Sequence, residues 1–253
     1  MSYLTINFKS KALHMPVMLD VLMPQGHGNY KTLYLLHGAG GDHACWGLKT
    51  RIADYAEGKD IAVVMPSGYN RFYVDNINGK DFFTFISDEL VKQCENWFDL
   101  SRDAGDRYIA GMSMGGYGAF YAALKKPGMY NTAFSYSGLL NIIERYDKPQ
   151  GIDMFPVFGT RQQLIDNKFD LYELLHKQSD NGKANVDNSS KFIVTCGTSD
   201  PRIHMSREFF NAAKQAGLDV SYYESAGVHD WKYWDECIEQ TIKYIAGEVS
   251  AWQ

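Results

Sequence analysis

Apolar residues in this chain gather into short runs, and those runs alternate with stretches of helical spacing. Residues 3–8 alternate polar and apolar positions, and residues 15–23 are a second apolar segment. Together they predict two strands of an antiparallel ribbon, with a turn after it at Pro24-Gln25-Gly26-His27-Gly28-Asn29. Residues 32–36 and 61–65 are unbroken apolar runs, the pattern of strands buried on both faces. Further strands are expected at 107–110, 132–137, 191–196 and 219–224. Between them lie a modest helical pattern over 42–57 and an amphipathic one through Phe83, Ile86, Leu90, Cys94 and Trp97. Residues 117–126 read as a helix stopped by Pro127-Gly128, and 203–216 as one stopped by Gly217. Trp231, Trp234, Ile238, Ile242 and Ile245 line one face of a final helix.

Strands alternating with helices predict an α/β fold, with a mostly parallel central sheet, helices on both faces, and chemistry at the carboxyl ends of the strands. Two stretches break the rhythm. The loop 67–80 is rich in Gly, Asn and Tyr and is expected to run over the surface near the active-site edge. Residues 138–189 show one convincing helix, around 169–178, and read either as a cap or insertion over the site or as a solvated connection.

At 253 residues without a linker-like composition shift, the chain is expected to be a single domain over 1–253. A net charge of −5 argues against a nucleic-acid or anionic-membrane partner, either of which would want a basic surface. No apolar stretch approaches the ~20 residues that span a bilayer. The first eight residues carry no basic-then-apolar export signal, which places the protein in the cytoplasm by default. Cys45, Cys94, Cys196 and Cys237 lie far apart and suggest neither a zinc site nor a disulfide frame, and no metal or cofactor is expected. The 17 tyrosines can furnish both core and an aromatic-lined pocket.

One motif gives these elements a purpose. Gly111-Met112-Ser113-Met114-Gly115-Gly116 lies between an expected strand and an expected helix, where a sharp turn would lift the Ser113 hydroxyl into an active site. With 23 glycines in the chain, a bare Gly-x-Ser-x-Gly should arise roughly 0.1 times by chance, so the strand-turn-helix context has to carry the reading. A serine hydroxyl also needs an imidazole to take its proton and a carboxylate to orient that imidazole. Asp200 and His229 fall in loops after later expected strands, and the order Ser, Asp, His is that of α/β-hydrolases.

Six other histidines compete with His229 for the role of base. His14 is expected in an edge strand, His27 and His43 in exposed loops, and His176 in the irregular segment. His204 shares a helix start with Asp200 and is badly placed to bridge it to Ser113. His37 ends a central strand beside Gly38-Ala39-Gly40-Gly41 and is expected to shape that loop by hydrogen bonding. Asp230 competes with Asp200 but adjoins the histidine in sequence and would point away from it. The N–H groups of Met114, after the nucleophile, and of Ala39, in the glycine-rich loop, are the expected oxyanion donors.

Several ordered stretches then resemble the putative esterase family. They are Leu35-Leu36-His37-Gly38, Val64-Met65-Pro66-Ser67-Gly68, the run 83–90, the run 109–118, Cys196-Gly197-Thr198-Ser199-Asp200, and His229-Asp230-Trp231 with Trp234-Asp235. That family groups bacterial tributyrin esterases, S-formylglutathione hydrolases, feruloyl esterases and mycolyltransferases. The resemblance implies an α/β-hydrolase fold and a serine carboxylesterase acting on short-chain acyl esters, including acetylated-sugar or hydroxycinnamoyl esters, without a cofactor. It places the nucleophile, acid and base on Ser113, Asp200 and His229, and makes a homo-oligomer reasonable. The alternatives are an S-formylglutathione hydrolase-like thioesterase and a non-catalytic α/β-hydrolase-fold binding protein.

Overall fold

The computed structural model describes residues 1–26, 28–149, 151–180 and 190–252; His27 of the expected turn and the end of the expected irregular segment lie outside the described residues. Eight strands form one sheet in the order β1-β2-β4-β3-β5-β6-β7-β8. β1 (Ser2–Ser10) and β2 (Met15–Met23) make the expected antiparallel ribbon, running from Ser2 opposite Met23 to Ser10 opposite Met15. β2 also lies antiparallel to β4 (Ile61–Pro66). Every other neighbouring pair is parallel, through β3 (Lys31–Leu36), β5 (Arg107–Met112), β6 (Thr132–Tyr136), β7 (Lys191–Gly197) and β8 (Val220–Ser225).

The unbroken apolar runs of the central strands follow from this placement. Side chains alternate between faces along a strand, and here both faces are covered. Leu33, Leu35, Val63, Met65, Ala110 and Met112 pack to one side, with Trp46 of α1 (Cys45–Lys49), Ile52 of α2 (Ile52–Ala56), and Ile238 and Ile242 of α11 (Trp231–Ala246). Tyr34, Leu36, Val64 and Ile109 pack to the other side. There they meet Leu90 and Cys94 of α4 (Leu90–Trp97), Phe120 of α5 (Met114–Lys125), and Phe209 of α10 (Ile203–Gln215). The expected amphipathic helix around Leu90 is built in three parts, α3 (Phe82–Thr84), a π-turn over Phe85–Glu89, and α4. No described helix is long and apolar enough to cross a membrane.

Four expectations need correction. The loop 67–80 runs over the surface only in part: Tyr69, Asn70 and Asn78 are exposed, but Phe72, Tyr73 and Val74 are fully buried, and Phe72 packs on Tyr117 and Phe158. Its aromatic content, rather than its Gly and Asn, decides its position. The irregular segment holds four described helices instead of one: α6 (Ile142–Asp147), α7 (Phe155–Phe158), α8 (Arg161–Asp166) and α9 (Leu171–Asp180). Three of them are too short to show a period, and caps mark two of these, with Asn141 accepting from the Glu144 amide and Thr160 and Gln163 forming a reciprocal capping box. Leu171 belongs to the core on the α5 side of the sheet. His14 sits in the turn between β1 and β2, and His43 is partly buried against Ser67 and Asp20.

The start of α5 comes close enough to β3 and β5 to leave no room for a side chain. A Cβ on Gly111 would overlap the backbone of Gly115, and a Cβ on Gly115 would strike the Leu36 carbonyl oxygen and lie 2.7 Å from that of His37. These neighbours are backbone atoms that cannot rotate away. Gly115→Ala is therefore expected to cost about 1–3 kcal/mol of stability, measured by urea denaturation at neutral pH. A change within 0.5 kcal/mol of wild type would mean that the helix can retreat from the sheet.

Candidate active site

Ser113 occupies the turn between β5 and α5 at φ 54°, ψ −113°, a conformation that non-glycine residues adopt only under constraint. The constraint is visible in its backbone bonds. Its N–H donates to Tyr136 O at 2.9 Å, and its carbonyl accepts from Tyr117 N at 3.2 Å and Leu139 N at 3.0 Å. The strain is of the order of 1–3 kcal/mol and is held by these bonds and by the packing of α5. The hydroxyl is left at the floor of a cleft of about 590 Å³.

His229 lines the cleft from the loop after β8, and Asp200, from the loop after β7, is buried behind it. Those strands are neighbours in the sheet, and the loops pack together where Ser199 N–H donates to Gly227 O at 2.9 Å. His229 Nδ1 lies 2.7 Å from Asp200 Oδ2, and the other carboxylate oxygen accepts the Arg202 amide at 2.8 Å. Burial works against ionisation of Asp200, but the bonds from His229 and the Arg202 amide outweigh it and hold the carboxyl below its ordinary value. Asp230 is spent elsewhere, capping α11 by accepting from Tyr233 N at 3.0 Å. His204 turns away to Glu144, 3.1 Å from Oε2.

Arg202 is a site residue that the sequence pattern did not single out. Its Nη1 lies 2.6 Å from His229 Nε2 and 3.4 Å from Ser113 Oγ, so the guanidinium bridges the two side chains. A guanidinium can only donate. Nε2 therefore carries the lone pair and Nδ1–H donates to Asp200, which is the tautomer that a general base at Nε2 requires.

The loop after β3 is held from behind by residues 67–73. Gly68 N–H donates to His37 Nε2 at 2.8 Å, leaving Nδ1–H to donate to Gly38 O at 2.7 Å. Tyr73 Oη donates to His37 O at 2.9 Å, and Gly40 N–H donates to Asn70 Oδ1 at 2.8 Å. His37 thus shapes this loop, as its position suggested. Ala39 lines the cleft, and among the described residues no acceptor takes the N–H of Ala39 or of Met114. Both N–H groups are thus unspent, that of Met114 at a helix start where the dipole favours negative charge.

Trp231 and Trp234 wall the cleft, with rings edge-to-face at 5.2 Å, and Trp234 also stands edge-on to His229 at 5.0 Å. Cys45 lines the cleft too, but burial pushes its thiol up to about 11, so it supplies no thiolate near neutral pH. No described residue from 138–180 lines the cleft. Among the described residues no group of three or more His, Cys, Asp or Glu could hold a metal ion.

Comparison with known proteins bears on the family and the fold. The family model described as Putative esterase matches residues 10–245. An acetyl esterase of Caldicellulosiruptor saccharolyticus is 29% identical over 266 aligned positions, covering 97% of this chain and 98% of the relative. The fluorophosphonate-binding serine hydrolase FphF of Staphylococcus aureus superposes with a TM-score of 0.88 at 25% identity, covering 97% of this chain and 98% of that one. The S-formylglutathione hydrolase FrmB of the same organism gives 0.87 at 25% identity with the same coverage.

The clamp on the loop after β3 makes stability depend on pH. His37 is 1% exposed, and burial lowers its value to about 4, the bond to Gly38 O opposing only part of the shift. The unfolded chain takes up this proton below pH ~6.5, whereas the folded one does so only near 4. The contribution is fully present above pH ~6.5 and is lost as pH falls towards 4, amounting to roughly 2 kcal/mol between pH 7 and 5. Urea unfolding at those two values should show this loss in wild type, beyond that of His37→Gln. Equal losses in the two proteins would mean that His37 is not held neutral.

Proposed function

This chain belongs to the putative esterase family of α/β-hydrolase fold, and from that premise we propose that it is a serine carboxylesterase that hydrolyses short-chain acyl esters through an acyl-enzyme on Ser113. The observation that carries the reading is the 2.7 Å contact of His229 Nδ1 with the buried Asp200, made beside a serine held at positive φ. Ser137 is also at positive φ, so the weight falls on the contact, because a structural histidine has no need of an otherwise water-excluded carboxylate.

In this reading Arg202 moves aside and His229 Nε2 takes the proton of Ser113 as its oxygen attacks the ester carbonyl. Free sites often hold such contacts open until substrate arrives. The oxyanion is met by the N–H groups of Ala39 and Met114. His229 returns the proton to the leaving alcohol, and water then attacks the acyl-enzyme by the same route in reverse. The cleft walls of Met112, Trp231 and Trp234 suit a small acyl group, and the acetyl esterase likeness supports acetyl esters first, with hydroxycinnamoyl esters as a second class. The likeness to an S-formylglutathione hydrolase supports a thioester reading of the same machinery. Four free, buried thiols suit a reducing compartment, in keeping with the cytoplasm. We take the whole chain as one hydrolase domain acting on a small molecule.

Wild type is expected to hydrolyse 4-nitrophenyl acetate and to react with a fluorophosphonate probe at Ser113. Ser113→Ala should lose the labelling and at least about 10³-fold in kcat/KM, and Asp200→Asn roughly 10³–10⁴-fold. Acetyl thioesters assayed alongside rank the two substrate classes. A chain that reacts with neither ester nor probe would be a binding protein of the same fold.

A further inference from the structure

Arg51, Arg107, Arg161 and Arg207 each sit on a carboxylate. Arg202 does not and, unlike Arg71 and Arg102, which also make no ion pair among the described residues, it lines the cleft, where its side chain hydrogen-bonds to the imidazole of His229 and the hydroxyl of Ser113. The neighbouring carboxylate of Asp200 bonds to His229 and to the backbone amide of Arg202, and its recorded bonds do not include the guanidinium. The guanidinium is only partly exposed and lines the cleft, so it has surrendered water without gaining an ionic partner. A second cation, Lys49, stands in the lining over the Trp231 ring at 5.5 Å, against a single acid, Asp42. An Arg fork that faces a substrate cleft with most of its donors unspent is built for an anion, and its planar geometry fits a carboxylate in bidentate fashion.

Resting on the esterase reading, we propose that Arg202 is a specificity-determining residue that selects esters whose leaving alcohol carries a carboxylate. The side of the ester is set by the contact. Arg202 touches Nε2 of His229, the atom that returns its proton to the leaving-group oxygen, so a group that draws the guanidinium lies on that side of the scissile bond. The same contact gives substrate a second effect. In the free site the guanidinium fills the gap between Ser113 Oγ and His229 Nε2, and a bound carboxylate pulls it away and opens that gap.

The test compares 3-acetoxybenzoate with its neutral partner 3-acetoxybenzamide in wild type, Arg202→Gln and Arg202→Lys. Differences in intrinsic reactivity cancel when the ratio of the two kcat/KM values is compared between proteins. Wild type should favour the carboxylate by about 10- to 100-fold, a charged hydrogen-bonded pair in a partly wet site. The preference should vanish in Arg202→Gln, largely through KM, and survive in part in Arg202→Lys, which keeps the charge without the fork. Fluorophosphonate labelling of Ser113 in each variant shows that the site is still folded. An identical ratio in wild type and a labelled Arg202→Gln overturns the proposal. So does an Arg202-dependent preference found only with 4-nitrophenyl hemisuccinate over the butyrate, which would put the carboxylate on the acyl side. If wild type hydrolyses 4-nitrophenyl acetate but neither acetoxy compound, this proposal is overturned and the esterase reading stands; if it hydrolyses none of the three and takes no fluorophosphonate, the esterase reading fails and takes this inference with it.

Discussion

The close approach of α5 to the ends of β3 and β5 is the constraint on which the rest of the site depends. It requires glycine at 111 and 115, because the atoms facing those positions are backbone. It also forces Ser113 to positive φ, since a strand can turn into a helix in so few residues in no relaxed way. The consequences are geometric. Ser113 lines the cleft at the start of α5, and the loop leaving β3 lines it too because β3 and β5 are neighbours. The adjacency of β7 and β8 does the same for Asp200 and His229. Sheet order, more than any single contact, brings together four loops that are far apart in sequence.

A second layer keeps the loop after β3 in shape. Backbone donors are useful to an oxyanion only if they stay where they are, and a glycine-rich loop has little stiffness of its own. Here Gly68, Asn70 and Tyr73 each make a hydrogen bond to it, and Phe72 and Tyr73 anchor their own loop in the core. The imidazole of His37 is the hinge pin of that arrangement. It accepts from one loop and donates within the other, and it can do both only while neutral.

The sheet and the turn that carries Ser113 were legible in the sequence for a common reason: both are written in local patterns. A strand buried on both faces shows as a continuous apolar run, and a nucleophile turn shows as glycines at fixed offsets. The loop 67–80 resists such a reading because its polar composition points outward while its aromatic side chains find their burial against distant residues. The helices between 141 and 166 are too short for periodicity to reveal, although Thr160-Gln163 is a readable capping box. Their stability comes from caps and from contacts such as Phe158 against Phe72 and Phe169, which no local window contains.

Arg202 was invisible for a different reason. Ester hydrolysis through a serine requires a nucleophile, a base, an acid and two oxyanion donors, and an arginine is none of these. The one available signal was its position, two residues after the acid in a loop already assigned to the site. A cation placed there has two consequences that oppose each other. By donating to Nε2 it obliges the imidazole to keep its proton on Nδ1, facing Asp200, the tautomer that a base acting at Nε2 needs. By occupying Nε2 it also keeps that nitrogen from Ser113. An uncharged donor in the same place would do both without being removable, since nothing in a neutral ester competes for it strongly. A guanidinium can be drawn off by a carboxylate at modest cost, because it exchanges a neutral acceptor for a charged one. The resting arrangement therefore makes sense as a site held ready and closed, provided that the ester it serves brings the negative charge that opens it.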